Sequence, residues 1–339
     1  MKPSDPVSAR ITTASYLMAA VTLLLVVELH LVPALFAGLL VHVLVHLLAP
    51  HLFGFKDQPA RARIVVVLLL TLLILGLTAL LVGGAVVFFR SGNASLALLM
   101  QRMAEIIDSS RANIPDWLLN SIPNDAGELR EIAVNWLRTH AAELGVMGGG
   151  IGRGIVYALI GMVVGALIAL RETHKVTRMG PLAAALAHRA AVLADAFRRV
   201  VLAQVRIAAL NATLAGVYLL GVLPATGVHL PFGKTLVALT FLVGLLPIVG
   251  NLISNTAIVV ISLSHSLPVA IGSLTFLVVI HKLEYFVNAR IVGTQIHAAA
   301  WELLIAMLAM EAAFGLQGVV AAPVFYAYLK SELAAGRLV

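Results

Sequence analysis

Residues 235–264 read TLVALTFLVGLLPIVGNLISNTAIVVISLS, thirty positions without an Asp, Glu, Lys or Arg. A helix of about 20 such residues, at about 1.5 Å per residue, crosses the roughly 30 Å hydrocarbon layer of a bilayer. Almost wholly apolar runs also cover residues 13–27, 64–89 and 207–228. Hydrophobic side chains make up 61% of the 339 residues and charged ones only 12%, and the mean hydropathy is +1.01. A soluble domain of this length needs a charged surface that this composition cannot supply. The composition describes an all-α, polytopic membrane protein.

Several function classes fall away. Cysteine is absent, which removes disulfides, thiolate metal sites and cysteine nucleophiles. The 23 basic and 16 acidic residues give +7, but the basic residues sit between apolar runs. That is the pattern of cytoplasmic loops in a membrane protein, not of a nucleic-acid surface. Lys2 and Arg10 resemble a signal-peptide n-region, yet the run continues through Leu23–Val27 with no small-x-small cleavage site, so an uncleaved first helix is expected. The run Gly148–Gly154 lacks the Gly-Lys-Ser/Thr of a P-loop, and suits close helix packing or a flexible lead into the next span. His42 and His46 share a helix face, but without a zincin-type Glu between them packed neutral histidines are expected, not a metal. No nucleophile set, cofactor motif or ATP-hydrolysis motif is visible, so an intramembrane enzyme is disfavoured.

Eight apolar blocks follow one another, at about 13–30, 32–51, 63–89, 151–170, 200–224, 235–264, 267–287 and 301–329. They suggest scaffold helices 1–3 over 1–89, a polar insert over 90–149, helix 4 with a basic segment over 150–199, and a transport core over 200–330. Within the insert, Leu129, Ile132, Trp136, Leu137 and Leu144 trace an amphipathic helix, with capping-box spacing at Asp125 and Glu128 and breaks at Pro115 and Pro123. Segment 171–199 carries Arg171, Lys175, Arg178, Arg189, Arg198 and Arg199 against Glu172 and Asp195. The positive-inside rule makes it cytoplasmic, together with the N-terminus and the loop holding Lys56, Arg61 and Arg63. The insert is then extracytoplasmic.

The sixth and eighth blocks are interrupted. Pro247, Gly250 and Asn251 break the sixth; Gly315, Gln317, Gly318 and then Pro323 break the eighth. Each divides into arms of about 12 residues, about 18 Å at helical rise, too short to cross. Two re-entrant hairpins or two kinked full spans are the alternatives. Hairpins put the basic 282–297 connection on the cytoplasmic side, and give six full spans plus two hairpins in an inverted repeat, an arrangement recurring in secondary transporters.

Polar groups at membrane depth mark candidate pathways. Asn251, Asn255 and Gln317 belong to the break points, where amides can hold a polar solute or a sodium ion, or else cap frayed helix ends. Gln204 and Asn211, seven apart on one face of the fifth block, could complete such a site or pack between helices. Glu311 ends an apolar arm; a carboxyl in lipid keeps its proton until water or a partner reaches it, so it is the candidate for proton exchange. Glu284 and Arg290 are a candidate cytoplasmic gate or a solvated pair.

The segments Leu246–Asn251, Glu284–Tyr285, Arg290–Gly293 and Phe314–Pro323 resemble those of the AI-2E family of bacterial transporters, the autoinducer-2 exporter or PerM-like permeases. The insert after the third span matches as well. The chain departs from the family pattern at Ala289, at Ala298 or Ala299, and at Asn251, positions where relatives commonly carry Pro. The resemblance implies a multi-pass protein of the bacterial inner membrane, and charge placement, with Lys330 and Arg337 near the end, makes both termini cytoplasmic. It implies export of an autoinducer-2-like small polar solute, with sodium–proton antiport in other members, and a homo-oligomer. A passive channel-like or structural protein is the rival.

Overall fold

A computed structural model describes residues 6–51, 60–74, 76, 131, 135, 138–171, 179–245, 249–296, 299–336 and 338. All regular structure among them is helical. The helices are α1 (Pro6–Glu28), α2 (Val32–Leu48), α3 (residues 60–74), α4 (Ala141–Arg171), α5 (Pro181–Val217), α6 (Gly233–Gly244), α7 (Val249–Leu263), α8 (Leu267–Ile296) and α9 (Ala300–Ala335). Among the described residues, five stretches are long and apolar enough to cross a membrane: Arg10–Glu28, Val32–His51, Gly152–Arg171, Pro181–Ala225 and Trp301–Ala335. The chain is thus an all-α polytopic membrane protein. The insert's amphipathic helix, its capping box and its prolines lie outside the described residues, as does Pro247.

Two helices are longer than their apolar blocks. Helix α4 begins at Ala141, ten residues before the expected 151, and runs through the glycine run as continuous helix. Gly149, Gly150 and Gly152 meet no neighbour within 4 Å and Gly154 meets only Pro33, at 3.8 Å, so these four glycines serve no close helix approach, and the helix does not unwind there. Each Gly costs about 0.5–1 kcal/mol relative to Ala, less than leaving backbone groups unpaired in lipid. Helix α5 begins at Pro181, so most of the basic segment is one helix with the fifth block. No Gly or Pro interrupts residues 182–215, and Pro181 suits a first helical position.

The chain forms two compact units: Met1–Leu77 with Gly148–Leu202 and Val292–Val339, and Thr78–Met147 with Ala203–Ile291. In the first, α2 and α4 touch backbone to backbone. A Cβ on Gly161 would lie 1.9 Å from the Ala34 carbonyl oxygen, and one on Gly165 2.2 Å from that of Gly38. Two small residues four apart on each helix allow this approach, which dispersion and backbone contact stabilise where lipid offers no hydrophobic drive. Because 34 faces 161 and 38 faces 165, α2 and α4 run parallel. Their C-terminal ends, with Arg171 closing α4, therefore share one face of the unit. Arg63 donates to the Ala169 carbonyl at 3.2 Å, placing the start of α3 at that same end. Val41, Val45, Val66, Leu70 and Ala169 form the core between these three helices.

In the second unit, α5 passes through a π-helical turn, Tyr218–Val222, and on to Leu223–Ala225. Helices α6 and α7 pack on it and on α8 around Ala215, Tyr218, Leu219, Leu223, Leu236, Ile258 and Leu277.

Candidate functional site

In the second unit, α6 and α7 are arms of one helical hairpin. Val243 and Gly250 meet near the tip, and Leu236 and Ile258 share a core further down, so partners spread evenly about residues 246–247. Gly250 is helical, in the first turn of α7, and its role is contact: a Cβ there would stand 1.9 Å from the Val243 carbonyl oxygen and 2.9 Å from the Gly244 Cα. Asn251 is helical too. The tip is pinned to α5, where Gln204 Nε2 donates to the Gly244 carbonyl at 2.7 Å. This satisfies one of the carbonyls that a helix end leaves open. Two turns on, Asn211 Nδ2 donates to Asn251 Oδ1 at 3.3 Å.

Beside that amide bridge lies a cavity of about 20 Å³, room for one water-sized group. Asn211, Thr240, Asn251, Ser254, Asn255 and His281 supply its polar wall. The hydroxyls of Thr240 and Ser254 bond back to carbonyls of their own helices, at Leu236 and Asn251. Below it a buried chain joins three helices: Tyr218 Oη to Ser273 Oγ at 3.0 Å, and Ser273 Oγ to Ser262 Oγ at 2.7 Å. Tyr218, at the π-helical turn, stacks on the cavity residue Phe276 with ring centres 4.0 Å apart.

Helix α9, in the first unit, also folds back. Its one non-helical residue is Gly315, at φ 62° and ψ −147°, a conformation that glycine adopts without a Cβ clash. A straight helix would put residues 302 and 326 about 36 Å apart; instead Tyr326 Oη donates to Glu302 Oε2 at 2.5 Å. Lys330 Nζ reaches the same oxygen at 2.6 Å. Nearer the tip, a Cβ on Gly318 would lie 1.9 Å from the Met310 carbonyl oxygen. Gly318 and Pro323 are both helical, with Pro323 inside the second arm. Pro323 follows Ala321 and Ala322, which are fully buried, and surrounding helix packing is what lets a proline persist there.

A model of the AI-2E family transporters matches residues 14–337. The chain belongs to the AI-2E transporter family. That family is one of membrane transporters, not of enzymes. No curated protein and no solved structure matches the chain.

The structure distributes the candidate residues of this AI-2E family member unevenly. It brings together Gln204, Asn211, Asn251 and Asn255 in the second unit. Glu311 and Gln317 belong to the first: Glu311 is exposed on the first arm of α9, and Gln317 opens the second arm with Oε1 buried and unpartnered among the described residues. Glu284 and Arg290 lie on α8, and their side chains are outside the described residues. His46 Nδ1 lies 2.8 Å from the His42 carbonyl oxygen, and the two rings lie 4.3 Å apart, tilted by 39°.

The sequence reading missed Ser254 and His281 at the cavity. Asn251, Ser254 and Asn255 recur at i, i+3 and i+4, a polar stripe on one face of an otherwise apolar helix, and that spacing was the available signal. It also missed the charges at the base of α9. Arg189 pairs with Glu332, the two side chains only 12% and 5% exposed. Arg189 lies 3.9 Å from the Tyr16 ring centre, and Tyr16 Oη donates to Glu332 at 3.4 Å. Arg199 donates to Ser331 at 2.7 Å. These groups tie the second arm of α9 to α1 and α5.

Proposed function

We propose that this protein is a secondary transporter that moves a small polar solute, autoinducer-2-like in chemistry, out across the bacterial inner membrane. The observation that carries this reading is the Asn211–Asn251 bridge beside a polar-walled cavity near the tip of a helical hairpin. Neutral amides and hydroxyls can exchange their mutual hydrogen bonds for those of a hydroxylated solute, with no charge to desolvate. Helix ends at membrane depth hold together only where protein or water satisfies them, and Gln204 on Gly244 is such a device.

Residues 1–89 serve as scaffold, 90–149 as an extracytoplasmic insert, 150–199 as transmembrane helix 4 with a basic cytoplasmic segment, and 200–330 as transport core. The two hairpins are re-entrant and form an inverted repeat. Asn251, Asn255, Asn211 and Gln204 contact the solute in the second unit, Gln317 contacts solute in the first, and Glu311 couples transport to proton or sodium movement. Glu284 and Arg290 gate the cytoplasmic side. The protein works as a homo-oligomer with both termini cytoplasmic. The parallel course of α2 and α4 supports this topology, since it gathers Arg63 and Arg171 onto one face.

Purified protein in proteoliposomes tests the proposal. Saturable solute flux driven by an imposed proton or sodium gradient, reduced in Asn251→Ala and uncoupled in Glu311→Gln, is expected. Flux that ignores both gradients removes the coupling, and flux that neither saturates nor responds to Asn251→Ala removes the solute path.

A further inference from the structure

The first unit holds a second cavity, of about 770 Å³, within the about 300–1,000 Å³ range of ligand pockets. Its walls come from α1, α2, α4 and α5. Gly38, Gly161 and Gly165 make the recess where α2 and α4 close together, and Ala187, Ala190 and Ala194 keep the α5 wall low. The α4 wall runs from Ile160 to Arg171 and the α2 side from Leu31 to His42. Eleven residue steps are about 16 Å, half of the roughly 30 Å hydrocarbon layer. The cavity therefore has the length of one leaflet. Arg171 is its one charged lining residue among the described residues. It stands at the end where α4 gives way to the basic stretch, is exposed, and makes no ion pair among the described residues.

We infer that this cavity binds a phospholipid with an anionic headgroup, its acyl chain along the α2–α4 recess and its phosphate at Arg171. The chain and head of such a lipid match the apolar length and the terminal guanidinium together. A helix from another subunit would match only the apolar wall. Arginine is suited to phosphate because its fork of N–H donors can grip two oxygens at once.

Brominated lipids read this out in the full-length protein. Trp117, Trp136 and Trp301 are replaced by Phe, and Val164→Trp puts the single fluorophore in the cavity wall. The protein is reconstituted into phosphatidylcholine vesicles containing equal fractions of either brominated phosphatidylglycerol or brominated phosphatidylcholine. Quenching should show about fivefold preferential association of the anionic lipid, the size of one basic contact with an anionic headgroup, and Arg171→Gln should abolish the preference. Should Val164→Trp fail to reconstitute, Ile168→Trp lines the same cavity and gives the same readout. Equal quenching by both lipids overturns the inference, as does a preference that survives Arg171→Gln. So does absence of quenching, which would mean that protein fills the cavity.

Discussion

Replacing Gly250 by Ala adds one methyl group, and the hairpin geometry fixes the sign of its effect. In an unpacked helix the change is favourable by about 0.5–1 kcal/mol, because Ala loses less backbone entropy than Gly. In the α6–α7 hairpin the new Cβ would stand 1.9 Å from the Val243 carbonyl oxygen and 2.9 Å from the Gly244 Cα. Both obstacles are backbone and cannot rotate away. The arms must separate, and overpacking of this kind costs about 1–3 kcal/mol, leaving a net loss on the order of 1–2 kcal/mol after the propensity gain. Gly152 supplies the matched control, since a Cβ there meets nothing within 4 Å. The denaturation midpoint in detergent, followed by helical circular dichroism, should fall for Gly250→Ala and stay level or rise for Gly152→Ala. A Gly250→Ala protein as stable as the Gly152→Ala protein would refute the claim that the two arms are in contact.

Gly318→Ala should resemble Gly250→Ala, because the Met310 carbonyl oxygen blocks its Cβ at the same 1.9 Å; the same midpoint measurement checks it. Glu332→Leu should cost about 3–5 kcal/mol by stranding the nearly buried Arg189, and most of that loss should return in the Arg189→Met, Glu332→Leu double variant. Arg198→Ala, which breaks a half-exposed pair with Asp195, should leave the midpoint almost unchanged. Gln204→Leu should cost about 1 kcal/mol by exposing the Gly244 carbonyl, and proteoliposome flux should fall with it.

The membrane fold and both interruptions are written locally. An uncharged run, a Pro and a pair of Gly residues act on their own neighbours, so blocks at 235–264 and 301–329 declare themselves as broken. What each glycine does was less legible. Gly315 takes the unusual backbone angles, while Gly250 and Gly318 serve as contact surfaces, and both uses look alike in a sequence. The α2–α4 crossing was hidden for a similar reason: Ala34 with Gly38 and Gly161 with Gly165 are spaced like many small residues in apolar helices, and only their partners give them meaning. Pairing across long separations left no local trace either. Arg189 and Glu332 stand 143 residues apart, each an ordinary charge in its own stretch. The amide site was half legible, because Gln204 and Asn211 share a face by their spacing. Their hairpin partners, the Gly244 carbonyl and Asn251, follow from the fold alone.

The most direct test of re-entry is the side of the membrane from which each hairpin's ends are reached, and the absence of native cysteine makes it clean. Single substitutions Lys234→Cys and Ser264→Cys flank the first hairpin, and Arg290→Cys follows the next span. An impermeant thiol reagent should label the first two from outside the cell and the third only from the cytoplasmic side. Labelling of Lys234→Cys and Ser264→Cys from opposite faces would mean that residues 235–264 cross the membrane, and would contradict the account.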